Sequence, residues 1–158
     1  MAVETLEVIQ NCPLLMGLDE TESKQLATAF HEQTFSEGDT VFLEQFPGES
    51  LFVIVEGTVR ISRMLAEGDE KVLGVLGPEE MFGEFAIIDG GPRFVTARAA
   101  DELKLFRLGR PYFDKICQVK PSLGLKLLRN VTRVFAGKMR DSQEEYRQML
   151  LWSIGRTK

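Results

Sequence analysis

"MFGEFAIIDGGPRF", residues 81–94, sets a carboxylate, Glu84, directly after Gly83 and a guanidinium, Arg93, directly before Phe94. Apolar residues and a Gly-Gly-Pro turn fill the space between them. A glycine at 83 lets the backbone turn sharply or come close to a ligand. Glu84 to Ile88 fits a single helical turn, whose N–H groups would form an anion site. Arg93 adds a planar fork suited to a phosphate diester. A phosphate repels Glu84, so that carboxylate is better placed as an acceptor for a sugar hydroxyl. Together the two groups suggest a ribose phosphate. The plainer reading makes Glu84 an acid at a helix start and Arg93 a surface turn residue held by a carboxylate.

The flanking sequence alternates short apolar runs with turn signals at 36–39, 46–49, 56–57, 67–69, 76–78 and 89–92. Such spacing indicates a β-sandwich or barrel. "LFVIVEG" (51–57) is a solid apolar run, as in a strand covered on both faces, and "VRISRM" (59–64) alternates. Glu67–Glu70 reads as a hairpin turn. "TARAADELKLFRL" (96–108) supplies further strands around a turn at Asp101-Glu102. Helices are expected at 4–10, at 19–31 behind an Asp19 cap, after Pro111, and from Pro121-Ser122 onward. Leu128, Val131, Phe135, Met139 and Met149 form an apolar stripe on the last of these, read as core or dimer seam. The fold class is therefore mainly β with flanking helices: a jelly-roll-like β-roll, amino-terminal helices and a long carboxy-terminal helix. The division is 1–122 for the roll and its leading helices, and 123–158 for a lid or dimerisation helix and tail.

The 158 residues carry a net charge of −5, unevenly spread. Residues 1–122 hold 11 Lys and Arg against 21 Asp and Glu, and residues 123–158 hold 8 against 3. The acidic body is a poor surface for nucleic acid. The basic tail suits an acidic partner or the chain's own body. Cys12 and Cys117, far apart and the only cysteines, argue against a disulfide framework or a zinc site and fit a cytosolic location. The beginning of the chain lacks a signal peptide's pattern, and no window reaches the roughly 18 apolar residues of a membrane span. The single histidine, His31, has no nucleophile or acid beside it in any catalytic pattern, so no catalytic residue, metal or cofactor is expected.

"FGEFAIIDGGPRFVTARA" (82–99) resembles the phosphate-binding cassette of the cyclic nucleotide-binding domain family. "FSEGDTVFLEQFPGESLFVIVEGTVRIS" (35–62), "LGPEEMFGE" (76–84) and "NCPLLMGLDETESKQLA" (11–27) are similar to other family segments, in the family's order. The resemblance spans about residues 6–145 and implies a cytosolic sensor of cyclic AMP or cyclic GMP that signals through its last helix to an unidentified protein partner. It implies that Arg93 pairs with the cyclic phosphate and Glu84 accepts from the ribose. Gly83, Glu84, Phe85, Arg93, Phe94 and Val95 would form the ligand site. The final helix would close over the base, with Lys138 and Met139 near the contact; Lys138 is alternatively a solvated charge.

Phe94 and Val95 stand where the family carries small residues. Phe94 would stack on the base, fill the nucleotide's place, or belong to the core. The second of these implies a degenerate roll that binds no nucleotide and serves as a protein-interaction scaffold. A DNA-binding role is not expected, since few residues follow the long helix. A homodimer through 123–150 is expected from the stripe.

Overall fold

The computed structural model describes residues 2–153 and 155; the side chains of Met149 and Trp152 lie outside what is described. The helices are α1 (Ala2–Val8), α2 (Glu20–Ala27), α3 (Ala86–Asp89), α4 (Arg110–Val119) and α5 (Pro121–Ser153). The strands are β1 (His31–Phe35), β2 (Thr40–Phe42), β3 (Ser50–Glu56), β4 (Val59–Met64), β5 (Glu70–Leu76), β6 (Met81–Phe82), β7 (Thr96–Ala99) and β8 (Leu103–Gly109). They form two four-stranded antiparallel sheets, ordered β1-β8-β3-β6 and β2-β7-β4-β5. This is the expected mainly-β roll with flanking helices.

The apolar run in β3 is explained by two layers of cover. Leu51, Val53 and Val55 pack with Leu14, Leu26, Phe113, Ile116, Leu123, Leu127 and Val131 in a core between the first sheet and the helices. Phe52 and Ile54 point the other way, into a second core with Val59, Phe82, Ala97 and Leu105. Successive residues of a strand face opposite sides, so both sets must be apolar.

The expected helix at 19–31 is corrected. Asp19 caps it as foreseen, in a capping box with Glu22. It ends at Ala27, and His31 to Phe35 pair with Arg107 to Leu103 of β8. Sheet pairing overrides the helical spacing of Leu26, Ala29 and Phe30; the Phe30 ring packs 5.8 Å from that of Phe106. The first helix likewise covers 2–8 rather than 4–10.

The stripe on α5 also divides. Val131 is buried against the body, while Leu128, Met139 and Leu150 are exposed. These three recur every eleven residues, close to three full turns, and so stand in one row. The first part of α5 is fixed to the body by more than packing. Buried Asn130 donates from Nδ2 to the carbonyls of Leu14 at 2.8 Å and Met16 at 2.9 Å. Lys126 pairs with Glu22 at 2.8 Å. Among the described residues, no helix is long and apolar enough to cross a membrane.

Candidate functional site

The cassette runs from β6 through α3 to β7. Gly83 has φ +70°, a conformation that side chains with a Cβ rarely adopt. A Cβ there would also lie 2.6 Å from Nη1 of Arg93. The helical turn is shorter than expected, starting at Ala86, and Gly90 closes it at φ +67°. The amides of Ile87 and Ile88 donate within the turn to Glu84 and Phe85 carbonyls, so those two N–H groups are not held for an anion.

Arg93 is only 9% exposed. Its Nη1 donates to the Gly83 carbonyl at 2.8 Å and its Nη2 to that of Ser50 at 2.9 Å. The Arg93 backbone is held on both sides: its N–H donates to Phe46 and its carbonyl accepts from Gln45. Gln45 sits at φ +67° to make that contact. Burial pushes the Arg93 pKa down to about 10; Glu84 opposes this shift and Arg107 adds to it. The group is therefore charged at neutral pH. The reading of Arg93 as a surface turn residue held by a carboxylate is corrected: it is an inward guanidinium held by carbonyl oxygens and an aromatic shelf.

Glu84 is 4% exposed. Lys138 of α5 reaches across 54 residues of chain to meet it, with Nζ 3.0 Å from Oε1 and 3.1 Å from Oε2. The same Nζ donates to the Met81 carbonyl at 3.0 Å. Beside this pair the Phe85 ring packs on Phe135 of α5, with centroids 3.7 Å apart and planes tilted by 44°.

A cleft of about 280 Å³ opens next to the cassette. Phe85, Arg93 and Phe94 line it, together with Glu44, Gln45, Arg63 and Asp89. Phe94 is 60% exposed and meets Phe85 edge-on at 5.6 Å. It is neither core nor buried in the gap between Glu84 and Arg93. Val95 is half-buried immediately before β7. Met139 is exposed in the row with Leu128 and Leu150, whereas Lys138 is engaged as an ion-pair partner.

The sequence reading missed Phe42, Ser50 and Gly48 as supports of Arg93, and Phe135 as a contact of Phe85. Gly48 is required by space, since a Cβ there would lie 2.2 Å from Arg93 Nε. Its Pro-Gly setting reads only as a turn. Among the described residues there is no cluster of His, Cys, Asp and Glu able to hold a metal ion.

A β-roll with a buried guanidinium and a buried carboxylate on one cassette, covered by a long helix, defines a regulatory ligand-binding module. The cyclic nucleotide-binding domain family matches residues 32–120, and the chain belongs to that family. It is 31% identical over 127 residues to the CRP-like cAMP-activated global transcriptional regulator of Mycobacterium tuberculosis, covering 80% of this chain and 57% of that one. The chain thus spans little more than half the length of that curated relative. The N-terminal domain of a transcriptional regulator from Streptomyces coelicolor A3(2) has 38% identity and a TM-score of 0.74, over 86% of this chain and 94% of that one. The Thermus thermophilus catabolite activator protein has 27% identity and a TM-score of 0.78, over 88% and 63%.

Proposed function

We propose that the chain binds a cyclic nucleotide between the cassette and α5, and relays binding through α5 to a partner. The observation that carries this is a buried Arg93 and a buried Glu84 on one cassette, with α5 packed on its Glu84–Phe85 side. A buried guanidinium suits the cyclic phosphate and a buried carboxylate suits a ribose hydroxyl. Cyclic AMP is the first choice of ligand over cyclic GMP, because the Mycobacterium tuberculosis relative is named as cAMP-activated. The role is regulatory rather than catalytic, and the two unpaired cysteines fit a cytosolic setting.

Calorimetric titration with cyclic AMP and cyclic GMP tests the reading. Saturable heat with either supports it, and none with both turns it to the scaffold alternative. That alternative has its own support: Glu84 is already occupied by Lys138, and Phe94 replaces a small residue.

The exposed row of Leu128, Met139 and Leu150 supports a homodimer along α5. Light scattering should show a dimer that disappears when the chain is truncated after Arg129. A monomer at high concentration removes the seam. The excess of acidic residues in 1–122 supports a protein rather than DNA as the partner of this part of the chain.

A further inference from the structure

We propose that Lys138 is a latch, fastening α5 to the cassette and competing with the ligand's ribose for Glu84. The competition rests on the reading of Glu84 as ribose acceptor; the fastening does not.

An ammonium has three donors and no acceptor. Lys138 has three acceptors in reach, both oxygens of Glu84 and the carbonyl of Met81, all within 3.0–3.1 Å. Two of these are hydrogen bonds, to Glu84 Oε2 and the Met81 carbonyl, and the third is the ion-pair approach to Oε1. Glu84 is nearly sealed from water, so its charge needs a partner. A ribose hydroxyl seeking Glu84 meets a carboxylate whose charge is already paired with an ammonium.

The latch sits at a change in how α5 is held. Upstream, Leu123, Leu127 and Val131 are fully packed, and Asn130 and Lys126 tie the helix to Leu14, Met16 and Glu22. Downstream, residues 138–144 are exposed. Between the two parts, α5 meets the cassette through Phe135 on Phe85 and through Lys138 on Glu84 and the Met81 carbonyl. Gly137 stands immediately before the latch, and a Cβ there would meet nothing within 4 Å. Space does not require that glycine. It is a compliant point in a helix, where alanine would hold the helical form more firmly. Releasing Lys138 therefore frees the distal part of α5 to pivot, while the proximal part stays fixed to the core.

A ligand that binds only the unlatched form loses affinity in proportion to how seldom that form is populated. If about one molecule in ten is unlatched, removing the latch tightens binding about tenfold.

The test compares the full chain with Lys138→Met, which keeps length but removes charge, and with Lys138→Arg, which keeps the charge. Cyclic AMP affinity is measured by calorimetry, and hydrogen exchange of amides 135–144 is followed without nucleotide. Lys138→Met should bind cyclic AMP about tenfold more tightly and exchange faster over 135–144, while Lys138→Arg follows the parent in both. Weaker or unchanged binding in Lys138→Met overturns the competition, because Lys138 would then be a ligand contact or idle. Unchanged exchange overturns the fastening. If no variant binds cyclic AMP, the nucleotide reading falls and the competition with it. Exchange alone then decides the fastening: faster supports it, unchanged removes it.

Discussion

The guanidinium carbon of Arg93 lies 4.1 Å from the centre of the Phe42 ring. Phe42 is itself backed by Phe52 and Phe82, at 6.0 and 5.8 Å. A cation over an aromatic face is held by the ring's quadrupole, and more firmly when desolvated. The shelf, with the Gly83 and Ser50 carbonyls, keeps a charged group fixed inside the roll. Such fixing lowers what a ligand must spend in ordering its partner.

Arg93→Ala should therefore act twice. It leaves two carbonyl acceptors without their donor, at a cost of about 1–3 kcal/mol in stability. It should also weaken cyclic nucleotide binding by roughly thirtyfold or more. Gly48→Ala gives a finer test, because its Cβ would fall 2.2 Å from Arg93 Nε and displace the guanidinium without removing it. Thermal melts and calorimetry on both variants check this. Parent-like affinity in Gly48→Ala and Arg93→Ala removes Arg93 from the ligand site.

Glu84→Gln should weaken cyclic AMP more than its 2′-deoxy analogue. The lost hydrogen bond is one to a charged acceptor, about 1.5–3 kcal/mol, and the analogue never makes it. Calorimetry with both ligands on both proteins gives the difference. Equal losses would place the carboxylate's role in holding α5 alone.

Lys126 holds the Glu22 carboxyl below its ordinary value of 4.5, chiefly through their side-chain hydrogen bond, helped by the Asp19 amide. A carboxylate lowered in the folded state stabilises at pH above its unfolded value, and that contribution disappears as pH falls through the folded one. Lys126→Met should therefore melt below the parent at neutral pH. The gap should begin to close under pH 4.5 and vanish in stronger acid. A gap independent of pH would assign the loss to the packing of the lysine stem on α2.

Much of the roll was legible because its signals are local. Gly57 and Gly77 fall just past the ends of β3 and β5, and the double cover of β3 shows as an uninterrupted apolar run. The cassette was legible through the order Gly83, Glu84, Arg93. What escaped depends on distant pairing. His31 read as the end of a helix until β8 claimed it together with the four residues after it. The apolar stripe of α5 read as one surface, yet Val131 and Leu128 face opposite environments. Lys138 lies 54 residues from Glu84 in sequence, and no spacing rule links them. Arg93 turning inward over Phe42 depends on the missing side chains at Gly48 and Gly83, which read equally well as ordinary turn glycines.

Phe94 offers the last test. Its ring is 60% exposed and edge-on to Phe85, which in turn packs on Phe135. Three rings thus run from the mouth of the cleft to α5. A ring so exposed contributes little to the core, so Phe94→Ala should leave the melting temperature nearly unchanged. If the chain binds a cyclic nucleotide as proposed, its place on the cleft suits a platform for the base, and stacking of a base on an aromatic ring is worth about 1–3 kcal/mol. Cyclic AMP and cyclic GMP should both weaken in Phe94→Ala, about fivefold or more. The two losses should be similar, since a phenyl ring has no hydrogen bond with which to tell the bases apart. Calorimetry with both nucleotides checks this. Tighter binding in the variant would show the ring to be an obstacle to entry. A loss confined to one nucleotide would show that position 94 orients a neighbour, such as Arg63 or Glu44 on the same cleft, that reads the base.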